Sequence, residues 1–197
     1  MAAPPTSTEA LRQALHDDAK ECWLAVMQAD TPLNRRNYVR AVFAFADGFV
    51  SVMKQHVLEE ITAGRFNPSR AEHALLLEEA YDLKETGESR SRPLFLPALA
   101  NVRFAFEVFS RAHAVTAAPK YDGEGWVAFR EALQIRHRIT HPKATGEVQV
   151  SDEDLATVQK AHMWFLDSTF DVYVEGRARM MAELERARKQ ASEHTAE

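Results

Sequence analysis

From Leu33 to Thr62 the chain carries an uninterrupted apolar pattern of helical period, and no other segment constrains the fold so tightly. Tyr38, Val42, Phe45, Phe49, Val52 and His56 follow one another at steps of three and four. Val39, Phe43, Ala46, Val50, Met53 and Val57 form an adjoining row. Two such rows make an apolar arc wider than a surface helix needs, so this helix is expected to be buried on more than one side. Other helices must then be laid around it. Gly64 stands just past its end, where a residue with left-handed backbone can close a helix. Its first turn, Asn34-Arg35-Arg36-Asn37, is polar and basic. Cations there oppose the helix dipole. The turn therefore reads as a solvated helix start, with an anion site as the sharper alternative.

The flanking segments supply the other helices. Thr6 followed by Glu9 matches a capping box, and Leu11, Leu15, Cys22, Trp23, Leu24 and Val26 give that first helix its apolar positions, up to the break at Asp30-Thr31-Pro32. Asn67-Pro68 and the pair Ser69/Glu72 signal a third helix carrying Ala71, Leu75, Leu76 and Leu83. Gly87 to Pro93 reads as a polar loop. A Phe-rich fourth helix is expected from Pro93 to about Val115, with Pro97 pointing to a later start. A fifth runs from about Glu124 to Thr140 or His141, its stripe being Trp126, Phe129, Leu133, Arg136 and Thr140. Pro142 ends it and pushes His141 out of helical geometry. Ser151 and Asp154 cap a last helix bearing Leu155, Val158, Ala161, Phe165, Leu166, Phe170 and Val174, which Gly176 weakens. The expected architecture is all-α, a compact bundle of five to six helices: a disordered lead over 1–5, one domain over 6–176, and a charged helix extension or frayed tail over 177–197.

Several function classes fall away on composition. With 197 residues, 46% apolar and 27% charged, a folded domain is expected. A lone cysteine, Cys22, permits neither an intramolecular disulfide nor a zinc ribbon and reads as a small buried hydrophobe. The start Met1-Ala2-Ala3-Pro4-Pro5 lacks the basic and apolar regions of a signal peptide. No apolar run approaches the ~18 residues of a spanning helix. The cytoplasm is the default location, with no membrane partner. A net charge of −5 argues against broad electrostatic capture of a long duplex.

One stretch is dense in chemistry: Gln134-Ile135-Arg136-His137-Arg138-Ile139-Thr140-His141-Pro142-Lys143. It closes an amphipathic helix, where the dipole favours a cation. A histidine suits general acid or base work near neutral pH, and a guanidinium clamps a phosphate through two parallel hydrogen bonds. Arginine with histidine is thus a plausible phosphodiester-cleaving pair that needs no metal. Arg136 and His141 diverge by about 140° on a continued helix, and the break at Pro142 frees His141 to turn back. Arg138 and Lys143 read as solvated or phosphate-steering groups.

Arg136, four intervening residues and His141, with the polar His137 directly after the arginine, resemble the signature of the HEPN superfamily. The segment Arg36-Asn37-Tyr38-Val39-Arg40-Ala41-Val42-Phe43-Ala44-Phe45-Ala46-Asp47 also looks like the second helix of such domains. The resemblance covers about Leu33 to Val174. It implies a metal-independent endoribonuclease of the toxin–antitoxin or phage-defence kind, acting on single-stranded RNA. Two copies would face their motifs across one composite site at a homodimer interface. By the same resemblance Arg136 stabilises the scissile phosphate, His141 acts as general acid or base, and His137 orients or contacts the phosphate; Arg138 and Lys143 are expected beside them as RNA-steering groups. An antitoxin or other defence-system protein is the implied partner, and no cofactor is expected. Lys143 stands where some toxin members carry a modified tyrosine, so that mode of control is not implied here. The alternative within the same superfamily is a non-catalytic module that binds a partner protein or nucleotide.

Three further readings concern single residues. His137 and His141, four apart, have the spacing of two metal ligands, but no third ligand is evident and no metal is expected. Asp47 lies between Phe43 and Val50 and needs a partner if buried; it either supports Arg136 or bonds to an unrelated group. His56, His73, His113 and His162 read as core or boundary residues.

Overall fold

The computed structural model describes residues 7–194. Among them are six α-helices, a hairpin and a short 3-10 turn. In chain order these are α1 (Ser7–Gln28), α2 (Pro32–Thr62), α3 (Arg70–Leu77), β1 (Glu79–Leu83), β2 (Ser89–Pro93), α4 (Ala98–Ala112), α5 (Glu124–Thr140), the turn Thr145–Val148 and α6 (Asp152–His194). The expected helical bundle is thus what the chain forms. The lead expected over 1–5, and Thr6 as a cap, lie outside the described residues.

At the centre lies α2. Thr31 caps it, its Oγ1 accepting a hydrogen bond from Asn34 N at 3.2 Å, and Pro32 occupies the first turn. Both apolar rows are buried apart from a half-buried His56, and α1, α4, α5 and α6 pack around it. The rows meet their partners in one aromatic cluster about Phe165 of α6. Phe45 and Phe49 of α2, Phe106 of α4 and Phe129 of α5 all lie 5.7–6.1 Å from it, ring centre to ring centre. Each such side chain contributes on the order of 2–3 kcal/mol by leaving water, so this cluster ties four helices together. No helix among the described residues is long and apolar enough to cross a membrane.

Three expectations are corrected. The third helix is capped by Ser69 rather than Asn67: Ser69 Oγ accepts from Glu72 N at 3.2 Å, and Glu72 Oε2 accepts from Ser69 N at 2.8 Å. It stops at Leu77, with Glu78 in left-handed geometry at φ 53°, so Leu83 lies in β1 instead. The segment expected as a polar loop forms β2, paired antiparallel from Glu79↔Pro93 to Leu83↔Ser89. Its Ser-Arg-Ser-Arg-Pro sequence is exposed throughout and offers no apolar alternation to read. The fourth helix accordingly begins at Ala98, after Pro97.

The last helix passes through Gly176 without interruption. A Cβ built there would stand 2.8 Å from Phe109 Cε1 and 3.2 Å from Val115 Cγ2. The glycine is therefore where α4 comes close against α6, and packing outweighs its poor helix propensity.

The basic turn of α2 is not freely solvated. Arg35 donates to Asp30, to Asp152 Oδ1 at 2.6 Å and to the Val150 carbonyl at 2.9 Å. Arg36 donates to the Val148 carbonyl at 3.4 Å, and Asn34 Nδ2 to the carbonyls of Ala25 and Ala29 at the end of α1. These groups join the end of α1, the start of α2 and the start of α6, which places the end of α5 beside them.

Candidate active site at the end of α5

Trp126, Phe129, Leu133 and Ile139 anchor α5 in the core. The stripe holding the first three runs outward, through a half-buried Arg136, to an exposed Thr140. Arg136 therefore sits where the core meets solvent. Thr140 Oγ1 donates back to the Arg136 carbonyl at 2.7 Å, and His141 N donates to the His137 carbonyl at 3.0 Å. His141 then leaves the helix with φ −125° and ψ 54°, ahead of Pro142. The side chains of His137, His141 and Lys143 are exposed, and Lys143 N is fixed by Glu147 Oε2 at 2.7 Å.

The arginines at this end divide into two kinds. Arg138 donates through Nη1 to the Gln149 carbonyl at 2.9 Å and through Nη2 to Asp154 Oδ2 at 2.7 Å. Asp154 at the same time closes the capping box of α6, where Ser151 N donates to its Oδ2 at 2.9 Å. A guanidinium held this way must break two good bonds to reach a phosphate. Arg136 is different: its guanidinium makes no hydrogen bond and no ion pair to another of the described residues.

The carboxyl on which the Arg136 charge acts is that of Asp47 on α2. One turn before it on α2, Phe43 packs on Phe129 of α5 at 5.5 Å between ring centres. Asp47 follows on the same side. Its carboxyl is raised above the usual carboxylate range by desolvation, with the nearby Arg136 charge pulling it down and Glu78 pushing it up. Solvent reaches Asp47, so the fully buried carboxylate considered from the sequence is not found. The two side chains act on each other through space rather than through a hydrogen bond.

Glu78 brings in a group that the sequence reading passed over. Lys54 is only 3% exposed, and its Nζ donates to Glu78 Oε1 at 2.8 Å and to the Leu75 carbonyl at 3.4 Å. Its place between Val50 and Val57, on one apolar row of α2, was the available signal for a buried cation.

The remaining titratable candidates are structural. Tyr38 Oη and His162 Nδ1 share a hydrogen bond at 3.0 Å inside the core. His56 Nε2 lies 3.2 Å from Tyr173 Oη. Cys22 is half-buried. Burial, and then Asp18 and Glu21, raise its thiol, which disfavours a reactive thiolate. No group of three metal-ligating side chains occurs among the described residues.

The class defined by these observations is an α-helical bundle with an exposed hairpin and an Arg-His cluster at one helix end. Compared with family models, with curated proteins and with solved structures, the chain finds no match in any of the three.

Proposed function

We propose that the protein is a metal-independent endoribonuclease of the HEPN type, working on single-stranded RNA through Arg136 and His141. The observation that carries this reading is the contrast among the arginines. Arg35, Arg36 and Arg138 are engaged by protein carbonyls or carboxylates, whereas Arg136 stands beside two exposed histidines with its guanidinium free to accept a phosphate. Asp47 acts on that guanidinium through space without occupying its donors.

The chemistry follows from these groups. A neutral histidine takes the proton from a ribose 2′-hydroxyl, and the 2′-oxygen attacks the adjacent phosphorus. The P–O5′ bond breaks, and a protonated histidine supplies the proton to the leaving 5′-oxygen. The ends are a 2′,3′-cyclic phosphate and a 5′-hydroxyl. Arg136 balances the charge that builds on the phosphate oxygens. His141 and His137 of one chain can divide the acid and base roles, or His141 of a second copy can supply one of them in the composite site that the resemblance implies. Lys143 steers the strand. A toxin or defence effector with this activity needs a restraining partner protein in its own cell.

Wild type, Arg136→Ala and His141→Ala are to be incubated with mixed single-stranded RNA in the presence of a chelator. Cleavage by wild type alone, leaving cyclic phosphate ends, is the expected result. Intact RNA with folded wild type at high enzyme concentration would count against the reading.

A further inference from the structure

The outer face of α6 carries a second pattern that the bundle does not use. Positions 160, 163, 167, 170, 174, 177 and 181 follow one another at alternating steps of three and four, the spacing of a coiled-coil seam. Inward of this seam, Val158, Phe165 and Val172 are buried in the core. On the seam itself Met163 is 56% exposed, Phe170 67%, Val174 47% and Met181 50%. Four large apolar side chains in a row on one helix face, extending over about 27 Å at 1.5 Å per residue, are not scattered surface residues.

The occupant can be read from the symmetry of the row. Phe170 and Val174 are equidistant from Val172 along the helix, and so are Met163 and Met181. Asp167 and Arg177, the charged members between them, are also equidistant from Val172 and opposite in sign. A two-fold axis level with Val172 therefore sets Phe170 against Val174, Asp167 against Arg177 and Met163 against Met181, each twice. The spacing alone sets these layers, and the opposite charges of Asp167 and Arg177 make the face complementary to a second, antiparallel copy of itself, as an isologous contact requires. Arg177 is available for it, because its ion pair to Glu9 is long, at 3.5 Å, and its side chain remains 58% exposed. An open groove between α1 and α6, lined by Arg12, His16 and Tyr173, borders Phe170 and Val174 and leaves room for side chains of the second helix.

We infer that α6 is an antiparallel self-association surface, on which two copies of this chain pair through Met163, Asp167, Phe170, Val174, Arg177 and Met181. This contact is separate from the ribonuclease reading. It places the two starts of α6, and with them the two ends of α5, about 60 Å apart along the paired helices. Each Arg136–His141 cluster then points away from its twin, so a shared catalytic cleft would need a second, different contact.

The test uses the full chain. Light scattering on a sizing column at micromolar concentration is expected to give a dimer for wild type. Asp167→Arg is expected to weaken that dimer at least about tenfold by facing two arginines, and Asp167→Arg with Arg177→Asp to restore it. Circular dichroism should show all of these equally helical, since the positions are exposed. Orientation is read from cysteines placed in a Cys22→Ser background. Residues 167 and 177 of one chain are about 15 Å apart along the helix, too far for one disulfide. Asp167→Cys with Arg177→Cys should therefore cross-link two chains on mild oxidation, and either cysteine alone should not. A wild-type monomer, a dimer indifferent to the charge reversal, or efficient cross-linking of Asp167→Cys by itself would each overturn the inference. Loss of RNA cleavage in the assay above would leave it untouched.

Discussion

Tyr38 Oη and His162 Nδ1 lie 3.0 Å apart at the meeting of α2 and α6, and this pair makes the stability of the bundle depend on pH. Burial is the main cause that lowers His162 from 6.5 to about 4, with the charge of His16 adding to it. The same burial holds the Tyr38 hydroxyl above its ordinary range. Nε2 of His162 has no hydrogen-bond partner among the described residues, so protonating the ring would bury a charge with no acceptor among them on that side.

The sign follows from linkage. The folded state prefers neutral His162, and the unfolded chain takes up a proton below about 6.5. Stability from this group is fully present above that pH and is lost as pH falls toward about 4. The loss between pH 7 and pH 4.5 should be roughly 2–3 kcal/mol. His162→Phe removes the titration, and its melting temperature should fall less over that interval than that of wild type. Parallel melting curves for the two proteins at matched ionic strength check this. Equal acid sensitivity would mean that His162 is not the group responsible.

Arg138 and Arg136 are two residues apart, and their replacement should have opposite consequences. Arg138→Ala breaks the bonds to Asp154 and Gln149 that join α5 to the start of α6. Its cost should be about 1–2 kcal/mol, since the remaining carboxylate still serves the helix cap. Arg136→Ala breaks no hydrogen bond and should change stability by less than about 0.5 kcal/mol, while abolishing RNA cleavage. Denaturant melts of both variants, paired with the cleavage assay, separate the structural arginine from the proposed catalytic one.

The difference between these two arginines marks how far the sequence could be read. The helical period of α2 and the stop at Pro142 are local signals, and α5 ends at Thr140 with His141 just outside, as the spacing predicts. The hairpin was invisible because Ser89–Pro93 presents no apolar face, and its pairing with Glu79–Leu83 is a matter of register across a turn. Arg138 reads from the sequence as a solvated or phosphate-steering group because its partners, Gln149 and Asp154, become neighbours only when α6 folds back along α5. Arg35 was misread for the same reason, its partner Asp152 being remote in sequence. Asp47 could be read either as a support for Arg136 or as bonded elsewhere; the structure gives it only a through-space effect on Arg136, and that separation is set by the crossing of α2 and α5, which periodicity does not encode. Lys54 is a buried charge whose position in an apolar row is legible in the sequence.

Gly176 allows a test in which propensity and packing disagree. Alanine is favoured over glycine within a helix by about 1 kcal/mol, so a solvent-facing Gly176→Ala would stabilise α6. Here the added methyl would meet Phe109 Cε1 at 2.8 Å and Cζ at 3.1 Å. That ring is itself pinned, stacked on Tyr173 at 5.9 Å, and has little room to retreat. Gly176→Ala should therefore be destabilising, by about 1 kcal/mol after the propensity gain, and Gly176→Leu by more. Chemical denaturation gives the sign directly, and a stabilised alanine variant would show that α4 and α6 can part at this point at no cost.

His141 is the position at which fold and proposed chemistry separate most cleanly. Its backbone N–H closes the last turn of α5 by donating to the His137 carbonyl, and this bond survives any side-chain replacement other than proline. The imidazole itself is exposed and makes no hydrogen bond to another described residue. His141→Ala should accordingly melt within about 0.5 kcal/mol of wild type and keep its helical content. Cleavage of single-stranded RNA should fall by a factor of about 10²–10⁴, the range for removing a general acid or base. His141→Asn, which keeps polarity and size but cannot exchange a proton near neutral pH, should be as inactive as alanine. If asparagine restored cleavage, His141 would be binding the strand rather than moving a proton. A large drop in melting temperature for either variant would place the ring inside the fold and remove the basis for assigning it to the site.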